Sequence, residues 1–273
     1  MFELLAKRLI APQVWRFTLR APGLAAKRQA GHFLILRPTA DSERIPLTIV
    51  SSDPVAGSVD IIFQVVGATT RALAAIPEGG TIHDVAGPLG HPTHIENYGT
   101  AVMIGGGVGI APLLPIAQAF HAQGNRLLTI LGGRSQEFLI LEDDLKPVSD
   151  SLLIATDDGS RGQKGLVTDV LRTLLEKEKI NLVMAIGPVV MMKAVAEMTR
   201  PLKIKTMVSL NPLMIDGTGM CGVCRCKVAG KTRFACVEGP EFDAHEVDFD
   251  SIRRRLGMFK AEERKRMDAG KVA

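Results

Sequence analysis

Apolar and polar residues follow two different patterns along the chain, and the change falls near residue 98. Up to that point, short stretches with alternating apolar residues are separated by turns rich in proline, glycine and aspartate, for example at 15–19, 32–36 and 59–66. Alternation of this kind predicts β-strands with one buried face. Because these strands are short and regularly interrupted, we expect residues 1–97 to form a small β-barrel.

From residue 98 to about 205, continuous apolar stretches alternate with segments whose apolar residues have helical spacing. The predicted strands are 101–104, 127–131, 152–155 and 182–186, and the predicted helices are 111–120 and 166–177. Continuous apolar strands that alternate with helices indicate a parallel sheet covered on both faces. The predicted fold class is therefore a β-barrel plus an α/β domain (98–205), followed by a cysteine-containing segment (206–246) and a charged helix (247–273).

The composition is that of a globular protein with moderate charge. Hydrophobic residues make up 46% of the chain, charged residues 23%, and the net charge is +4. So small a net charge does not favour nucleic acid as a partner. The one basic concentration, at 253–255 and 264–266, is interrupted by Glu262 and Glu263. We therefore interpret it as a solvated or partner-facing helix rather than as an RNA or membrane patch.

Three features predict a cytoplasmic protein. No stretch is apolar over the length needed to span a bilayer, and the N-terminus lacks the charged-then-apolar pattern of a signal peptide. All 4 cysteines lie within residues 221–236. Such crowding fits metal binding in a reducing compartment better than a disulfide network. We expect neither a membrane nor a nucleic acid as partner.

The cysteine-containing segment predicts a small metal centre. Asp216 precedes a glycine-rich turn and the pair Cys221 and Cys224, and Cys236 follows at a distance. Thiolates are the usual ligands of iron–sulfur clusters. Three alternatives use the same residues: a structural zinc site of four cysteines, which would serve a binding module without redox activity; a redox C-x-x-C pair; and a cluster in which Cys226 replaces Asp216.

A glycine-rich turn lies between the predicted strand 101–104 and the predicted helix 111–120. Its residues are Gly105, Gly106, Gly107, Val108, Gly109, Ile110, Ala111 and Pro112. Glycines let the backbone approach a phosphate closely, and a helix N-terminus favours the negative charge. The turn differs from the G-x-G-x-x-G pattern, and any tight connection from strand to helix could also use glycines.

Two further strand ends support a dinucleotide site. Asp157 and Asp158 follow the strand 152–155, and Gly187 and Pro188 follow the strand 182–186. An acid at a strand's carboxyl end can bind the ribose hydroxyls of NAD, whereas a 2′-phosphate requires a cation. A neighbouring cation, Arg161, leaves NADP disfavoured rather than excluded. The alternative for the acids is a plain Asp-Gly turn.

In the predicted barrel, polar residues cluster on one strand and at the start of a helix. The candidate cofactor-binding residues are Arg44, Pro46, Leu47, Thr48, Gln64, Val65, Gly67, Thr69 and Thr70. A cation and a hydroxyl on one strand face can bind a phosphate and the polar edge of a ring. Backbone N–H groups at the start of a helix can bind a pyrophosphate. The alternatives are a surface salt bridge for Arg44 and an ordinary helix N-cap at 67–70.

The order of these motifs resembles that of the ferredoxin–NADP reductase superfamily over residues 1 to about 200. An arginine shortly before a serine or threonine is followed by G-x-x-T, G-P-L-G, G-G-G-x-G-x-A-P and a G-P turn. The resemblance implies an FAD-binding barrel and a nicotinamide-binding α/β domain, with the turn 105–112 cradling the nicotinamide cofactor. Ile186 stands where this superfamily has a cysteine, so no thiol assists hydride transfer at that turn.

The resemblance also implies roles for residues of the barrel. Arg44 would hold the flavin phosphate, and Leu47 and Thr48 would meet the isoalloxazine. Thr69 and Thr70 would serve the pyrophosphate. The superfamily's R-x-[aromatic]-[S/T] motif is one residue shorter than the stretch from Arg44 to Thr48, and its frequent stacking tyrosine is here Leu47.

The pattern D-x₄-C-x₂-C-x₁₁-C is similar to the C-x₄-C-x₂-C-x₁₁₋₁₅-C of the iron–sulfur/flavin subunit of dihydroorotate dehydrogenase B. With aspartate first, it resembles the small subunits of NADH-dependent ferredoxin:NADP oxidoreductases, also described as sulfide dehydrogenases. That resemblance implies a [2Fe–2S] cluster whose ligands are Asp216, Cys221, Cys224 and Cys236.

The implied activity is hydride exchange between NAD(H) and FAD and single-electron exchange between FAD and the [2Fe–2S] cluster. The implied partner is a larger flavin and iron–sulfur subunit that acts on ferredoxin and NADP(H), with electron bifurcation as a family property. The alternative is the electron transfer subunit of a dihydroorotate dehydrogenase B. No catalytic acid or base is assigned, since hydride transfer requires placement of the cofactors rather than proton abstraction from carbon.

Overall fold

The computed structural model describes the backbone of residues 1–269 and the side chains of residues 1–265. The N-terminal part is a near-closed antiparallel barrel with the strand order β6-β1-β2-β5-β4-β3-β7. Its elements are β1 (Phe2–Ala11), β2 (Val14–Arg20), α1 (Pro22–Ala25), β3 (Phe33–Arg37), β4 (Ile45–Asp53), β5 (Ser58–Gln64), α2 (Ala68–Ala75), β6 (Thr81–Ile82) and β7 (Asp84–Leu89).

The alternation seen in the sequence builds the core of this barrel. Phe17 and Leu19 on β2, and Ile61 and Phe63 on β5, are buried, and because residues two apart share a strand face, each pair points to the same side of its strand. The rings of Phe17 and Phe63 meet edge to face with centroids 5.0 Å apart. The predicted barrel is therefore confirmed.

One half-buried carboxylate links three strands of the barrel. Asp60 accepts hydrogen bonds from Arg16 Nε at 3.0 Å, Thr18 Oγ1 at 2.6 Å and Ser51 Oγ at 2.7 Å. Burial alone would raise the pKa of Asp60, but these hydrogen bonds outweigh burial and hold the pKa below its usual range. The carboxylate therefore stays charged and bonded at neutral pH.

The middle of the chain is a parallel sheet with helices, in the strand order β11-β10-β9-β8-β12-β13. Its elements are β8 (Thr100–Gly106), α3 (Ile110–Ala122), β9 (Arg126–Gly133), α4 (Glu142–Leu145), β10 (Ser151–Thr156), β11 (Gln163–Lys164), α5 (Val167–Lys177), β12 (Leu182–Ile186), α6 (Val189–Thr199) and β13 (Lys205–Ser209). The strands and helices predicted for this region are confirmed, and β8 and β12 are buried almost throughout.

The register of the parallel strands brings their carboxyl ends together. Gly105 pairs with Leu131 on one side and with Ile186 on the other, and Thr156 pairs with Gly133. The loops that follow β8, β9, β10 and β12 consequently emerge at one edge of the sheet. Ligands of open α/β sheets bind at this edge.

The C-terminal part contains the cysteines. Its elements are β14 (Arg225–Val228), β15 (Lys231–Phe234), α7 (Ala235–Glu238), β16 (Glu241–Asp243), α8 (Phe249–Leu256) and α9 (Lys260–Ala269). β14 and β15 form an antiparallel hairpin, and β16 pairs antiparallel with β13. The chain divides into two compact units, one formed by residues 1–91, 211–240 and 248 onward, the other by 92–210 and 241–247.

This division differs from the boundaries expected from the sequence. The predicted limit at residue 205 falls on the first residue of β13, so the structure extends the α/β unit to Leu210. Residues 211–240, which we call the cysteine segment, belong to the same compact unit as the barrel. The unit boundaries could not be located from composition because β13 and β16 are short and flanked by irregular chain.

The single charged helix predicted over 247–273 is wrong in detail. The structure has two helices, α8 and α9, and Gly257 ends the first by donating its N–H to Arg254 O at 3.2 Å. Residues 270–273 of that prediction lie outside the described residues. Within residues 1–269, no helix is long and apolar enough to cross a membrane.

A half-buried glutamate on β16 leads to a prediction about pH. Thr93 Oγ1 donates to Glu241 Oε1 at 2.6 Å. Burial raises the pKa of Glu241 to about 7, although the bond from Thr93 acts in the opposite direction. Since a glutamate in an unfolded chain has a pKa of about 4.3, the folded state loses stability relative to the unfolded state as the pH rises from about 4 to about 7.

The variant Glu241→Gln cannot ionise and should escape this loss. We expect its free energy of unfolding to gain on that of the wild type, by on the order of 2 kcal/mol, between pH 4 and pH 7. The measurement is denaturant unfolding across this pH range. Exposed Glu246 offers the control Glu246→Gln, which should show no such gain. A pH-independent difference between Glu241→Gln and the wild type would contradict the prediction.

Candidate functional site

The barrel strand β4 is half-buried in its first part and fully buried only in its middle. Pro46, Leu47 and Thr48 are half-buried, whereas Ile49 and the residue after it are fully buried. Thr48 pairs with Phe33 and Leu47 with Leu34 on β3. The half-buried part of β4 therefore offers both side chains and an accessible strand surface to a flat ring. The contact of Pro46, Leu47 and Thr48 with flavin stays a prediction.

Arg44, directly before β4, is engaged in an ion pair. Its Nη2 lies 2.8 Å from Asp84 Oδ2, and both side chains are more than a third exposed. This is the surface salt bridge that the sequence left open as an alternative. An exposed pair of this kind is weak, so it does not prevent Arg44 from meeting a phosphate.

At the start of α2, Thr70 organises the turn. Its Oγ1 accepts from the N–H groups of Val66 and Gly67, both at 3.0 Å. This hydroxyl therefore acts as a cap, which is the alternative weighed for it, while Thr69 is buried. A side chain at Gly67 would meet no atom within 4 Å. The backbone at Gly67 is consequently open to a ligand. Gln64 is the last residue of β5. Val65 follows it and donates its N–H to Gln13 O at 2.8 Å, in the turn between β1 and β2.

In the α/β unit, the glycine turn has one packed side and one open side. Gly107 has φ +57° and open space where a side chain would be, so only its backbone borders that space. A Cβ on Gly109 would lie 2.4 Å from Ile186 O, so this glycine is needed for packing on β12. Helix α3 starts directly afterwards at Ile110. The turn thus presents backbone and a helix N-terminus to the open side.

Two of the three predicted loops touch each other. A Cβ on Gly187 would lie 3.1 Å from Gly106 O, and a Cβ on Gly106 would lie 3.2 Å from Pro188 Cδ. Side chains would force the two turns apart. The glycines at both positions therefore keep these turns in backbone contact.

The third predicted loop is joined to the loop after β9. Asp157 N–H donates to Gly133 O at 3.1 Å, and Asp158 N–H donates to Arg134 O at 3.2 Å. The Asp158 carboxylate accepts from the N–H and hydroxyl of Ser160 at 2.9 and 2.6 Å, and these bonds lower its pKa. Asp158 therefore serves its own turn, and Asp157, which is exposed, is the better placed acid.

The stretch Gly132–Gly133–Arg134 was missed in the sequence. The two glycines end β9, which is the first strand after the glycine turn in chain order, and Arg134 follows it. The nucleotide's ribose is recognised at the end of this strand in dinucleotide-binding α/β sheets. Arg134 is exposed, whereas Arg161 is held by Glu142 at 2.6 Å. The signal that could have found this loop is the glycine pair directly after the apolar stretch 127–131.

In the cysteine segment, the backbone wraps around the carboxylate of Asp216. The hydroxyl of Thr218 and its N–H, the latter at 3.2 Å, both donate to Asp216 Oδ2. These bonds, together with the N–H groups of Met220 and Cys221, outweigh desolvation and lower the pKa of Asp216. The carboxylate is therefore a stable anion held next to the first cysteine.

Two cysteines form a close buried pair. Cys224 Sγ lies 3.2 Å from Cys236 Sγ, and Cys236 N–H points at Cys224 Sγ at 3.5 Å. Burial, and then the neighbouring Cys224, raise the pKa of the Cys236 thiol to about 12. A positive metal centre is what offsets such burial, because metal ligands must be deprotonated.

Cys226 is bonded elsewhere. It lies on β14 opposite Arg233, and its thiol donates to Arg233 O at 3.6 Å. Burial, followed by the charges of Cys224 and Glu238, raises the pKa of this thiol to about 11. This arrangement speaks for a packing role of Cys226 rather than for a place in the ligand set.

The predicted ligand set is brought together in part. Within residues 1–265, no group of three or more His, Cys, Asp or Glu side chains is already arranged as a metal site. The residues fit an iron–sulfur cluster nonetheless, because a buried thiol pair and an anionic acceptor border a loop with positive φ at Gly217, Gly219 and Gly222. Closure requires Asp216 and exposed Cys221 to approach the pair.

The cysteine segment packs directly on the barrel. A Cβ on Gly217 would lie 2.7 Å from Leu89 Cδ1 and 3.1 Å from Ile35 Cδ1. Leu89 ends β7, which pairs with β3, and β3 in turn pairs with β4. β4 and β7 are thus two strand spacings apart, roughly 10 Å. The strand predicted to meet flavin is consequently close to the loop predicted to hold a cluster.

Two protein-family models match the chain over these regions. Residues 103–197 match the oxidoreductase NAD-binding domain. Residues 211–248 match the iron–sulfur cluster binding domain of dihydroorotate dehydrogenase B. The first match contains the glycine turn, and the second contains Asp216 and the cysteines.

Full-length relatives agree with these matches. The chain is 45% identical to a dihydroorotate dehydrogenase B electron transfer subunit homolog from Thermotoga maritima, over 96% of this chain and 93% of the relative. It is 43% identical to a solved structure of the NADH-dependent reduced ferredoxin-NADP oxidoreductase, studied for flavin-based electron bifurcation, with a TM-score of 0.93 and coverage of 98% of this chain and 97% of the other.

A distant structure confirms the fold alone. A ferredoxin-NADP⁺ reductase from Plasmodium falciparum is 14% identical, with a TM-score of 0.59 over 73% of this chain and 90% of the other. The predicted fold class is confirmed by both solved structures. The family models and the full-length relatives confirm an NAD(H)-dependent oxidoreductase with an iron–sulfur cluster binding domain, whereas FAD stays a prediction. The chain belongs to the family of dihydroorotate dehydrogenase B electron transfer subunits and their homologues.

Proposed function

We propose that this chain is the small subunit of an NADH-dependent ferredoxin:NADP oxidoreductase. Its role is to pass hydride between NAD(H) and FAD and single electrons between FAD and a partner subunit. The observation that carries the proposal is the packing of the cysteine segment on the barrel, where Gly217 lies against Leu89 and Ile35. Because of this contact, the path of electrons from flavin to cluster lies within one compact unit.

The residues of the chain bind and orient the reactants. The glycine turn 105–112 and the turn at Gly187 form the edge that receives the dinucleotide, and Asp157 is placed for a ribose. The half-buried part of β4 orients a ring. Flavin, when bound, supplies the conversion between two-electron transfer with nicotinamide and one-electron transfer with an iron–sulfur cluster.

We assign the cluster as [2Fe–2S] with Asp216, Cys221, Cys224 and Cys236 as ligands. The close pair of Cys224 and Cys236 and the hydrogen-bonded carboxylate of Asp216 support this set. The bond from Cys226 to Arg233 O counts against both alternatives that need Cys226, namely the four-cysteine zinc site and the cluster without aspartate.

The partner proposed is a larger subunit with its own flavin and iron–sulfur clusters, through which ferredoxin and NADP(H) react, with electron bifurcation as the overall process. The similar solved structure of an NADH-dependent reduced ferredoxin-NADP oxidoreductase supports this choice. None of the 4 cysteines, all of which lie among the described residues, forms a disulfide, which fits the reducing cytoplasm.

A second candidate is the electron transfer subunit of a dihydroorotate dehydrogenase B. The relative from Thermotoga maritima and the match over residues 211–248 favour it. Asp216 in the place of that subunit's first cysteine counts against it. Co-purification distinguishes the two, because a dihydroorotate-oxidising partner with FMN would identify the second candidate.

The proposal is tested by purifying the native complex and measuring flavin, iron, acid-labile sulfide and zinc. We expect FAD and [2Fe–2S] absorption from this chain, both bleached by NADH. Zinc has no colour, so a colourless protein with stoichiometric zinc would refute the electron-transfer function. NADH and NADPH are compared in the same assay, and we expect a preference for NADH.

The ligand set predicts an electrochemical effect of Asp216→Cys. A thiolate donates more electron density to iron than a carboxylate oxygen does, so we expect the cluster to remain and its potential to fall, on the order of tens of millivolts. The measurement is a redox titration followed by electron paramagnetic resonance. As a control, Cys226→Ser should keep both iron content and potential. An unchanged potential in Asp216→Cys would remove Asp216 from the ligand set.

The nucleotide edge predicts weaker NADH binding by Asp157→Ala. Loss of one charged hydrogen-bond acceptor for a ribose corresponds to roughly a tenfold rise in Kd, measured by fluorescence titration. Asp143 is an exposed acid on α4, and Asp143→Ala should bind NADH as the wild type does. Unchanged affinity in Asp157→Ala would place the ribose elsewhere, with the loop at Arg134 as the next candidate.

A further inference from the structure

Two arginines hydrogen-bond to the short loop between the first two cysteines. Arg225 Nη1 donates to Gly222 O at 3.0 Å, and Arg255 Nη2 donates to Val223 O at 3.0 Å. The residues between Cys221 and Cys224 thus have both of their carbonyl oxygens bound by guanidinium groups. Arg255 belongs to the basic stretch 253–255. From the sequence, we interpreted this stretch as part of a solvated or partner-facing helix.

The position of Arg255 is fixed by how α8 is anchored. Asp248 N–H donates to Lys227 O at 2.9 Å, which ties the start of α8 to the end of β14. Asp248 Oδ1 also caps the helix by accepting from Ser251 N–H at 2.9 Å. Phe249 and Ile252 are buried beneath the helix. The N-terminal half of α8 is therefore fixed by its buried side chains and by the hydrogen bond from its first turn to β14.

Helical spacing then directs Arg255 to the loop. It lies three residues after Ile252, and residues three apart share a helix face. Its side chain lines a cleft together with Leu213, Val223 and Ile252, so its apolar stem is covered while its guanidinium reaches the carbonyl. Arg255 is half-buried, whereas the neighbouring Arg253 and Arg254 are exposed.

The two bonds determine how the peptide groups of the loop are oriented. In a trans peptide the C=O and the following N–H point in opposite directions. With the carbonyls of Gly222 and Val223 directed at the arginines, the N–H groups of Val223 and Cys224 point away from them. Those N–H groups therefore lie on the side of the loop opposite the arginines.

We infer that Arg255, assisted by Arg225, is a positioning residue for the iron–sulfur centre. It fixes the loop between Cys221 and Cys224 with its N–H groups free for sulfur and places positive charge beside the thiolates. Hydrogen bonds to sulfur and nearby cations stabilise the added electron of a reduced cluster and raise its potential. The inference rests on the proposed function, since it requires a cluster at these cysteines.

The test compares Arg255→Gln with Arg254→Gln in the purified native complex. Both changes remove one positive charge from α8, but only the first removes the bond to Val223 O. At a fixed ambient potential, we expect the oxidised-to-reduced cluster ratio to rise about tenfold in Arg255→Gln, or 59 mV for one electron. In Arg254→Gln the ratio should change less than about twofold. The ratio is read by electron paramagnetic resonance and visible absorption.

Conservative and second-site variants complete the test. Arg255→Lys keeps the positive charge and a donor nitrogen but loses the planar guanidinium, so it should recover part of the shift. Arg255→Gln with full iron content and an unshifted ratio, or with the same shift as Arg254→Gln, would overturn the inference. If Arg255→Gln does not fold, as judged by thermal unfolding, exposed Arg225 gives the substitute Arg225→Gln, where an unshifted ratio also overturns it.

The outcome is separable from that of the proposed function. A wild-type complex without iron–sulfur absorption would refute the proposed function itself. A wild-type complex with a normal cluster and unshifted Arg255 and Arg225 variants would refute only the role of the arginines.

Discussion

Close packing of the cysteine segment on the barrel is the constraint on which the rest of the structure depends. Gly217 leaves no room for a side chain beside Leu89, and Gly90 faces Gly239 O with an equally small gap, 2.9 Å from a notional Cβ. His91 N–H adds a hydrogen bond between the two parts by donating to Gly239 O at 2.7 Å. A protein that moves electrons between cofactors must above all hold them close and in fixed orientation. Backbone-to-side-chain contact of this kind achieves both without a linker.

The two cofactor regions use different physical means. The nucleotide edge is built from parallel strands in register and from glycines that bring Gly106 and Gly187 into backbone contact. The cysteine segment instead relies on hydrogen bonds to charged groups. The N–H groups around Asp216 stabilise one anion, and the guanidinium groups of Arg225 and Arg255 bind the carbonyl oxygens of Gly222 and Val223. Polar groups that orient metal ligands tune a centre as much as the ligands do.

Much of this could be predicted from the sequence, because periodicity reports burial directly. The alternation around Phe17 and the continuous apolar strand before Gly105 were sufficient for the barrel and the sheet. Long-range pairing was not predictable: nothing local shows that Arg44 finds Asp84 or that Arg255 reaches Val223 O. The loop at Arg134 was missed because it carries no acid. The break at Gly257 was missed because charge, rather than propensity, dominated the interpretation of that stretch.

The short strand β16 has a consequence for how the chain is assembled. It pairs with β13 through Met207, Val208 and Ser209 and so covers the hydrogen-bonding groups on that side of the α/β sheet. An uncovered strand edge invites pairing with other molecules. A chain ending after β13 would expose that edge and become prone to aggregation. The three residues of β16, which come directly after the cysteine segment in the chain, thus form a protective border for the α/β sheet.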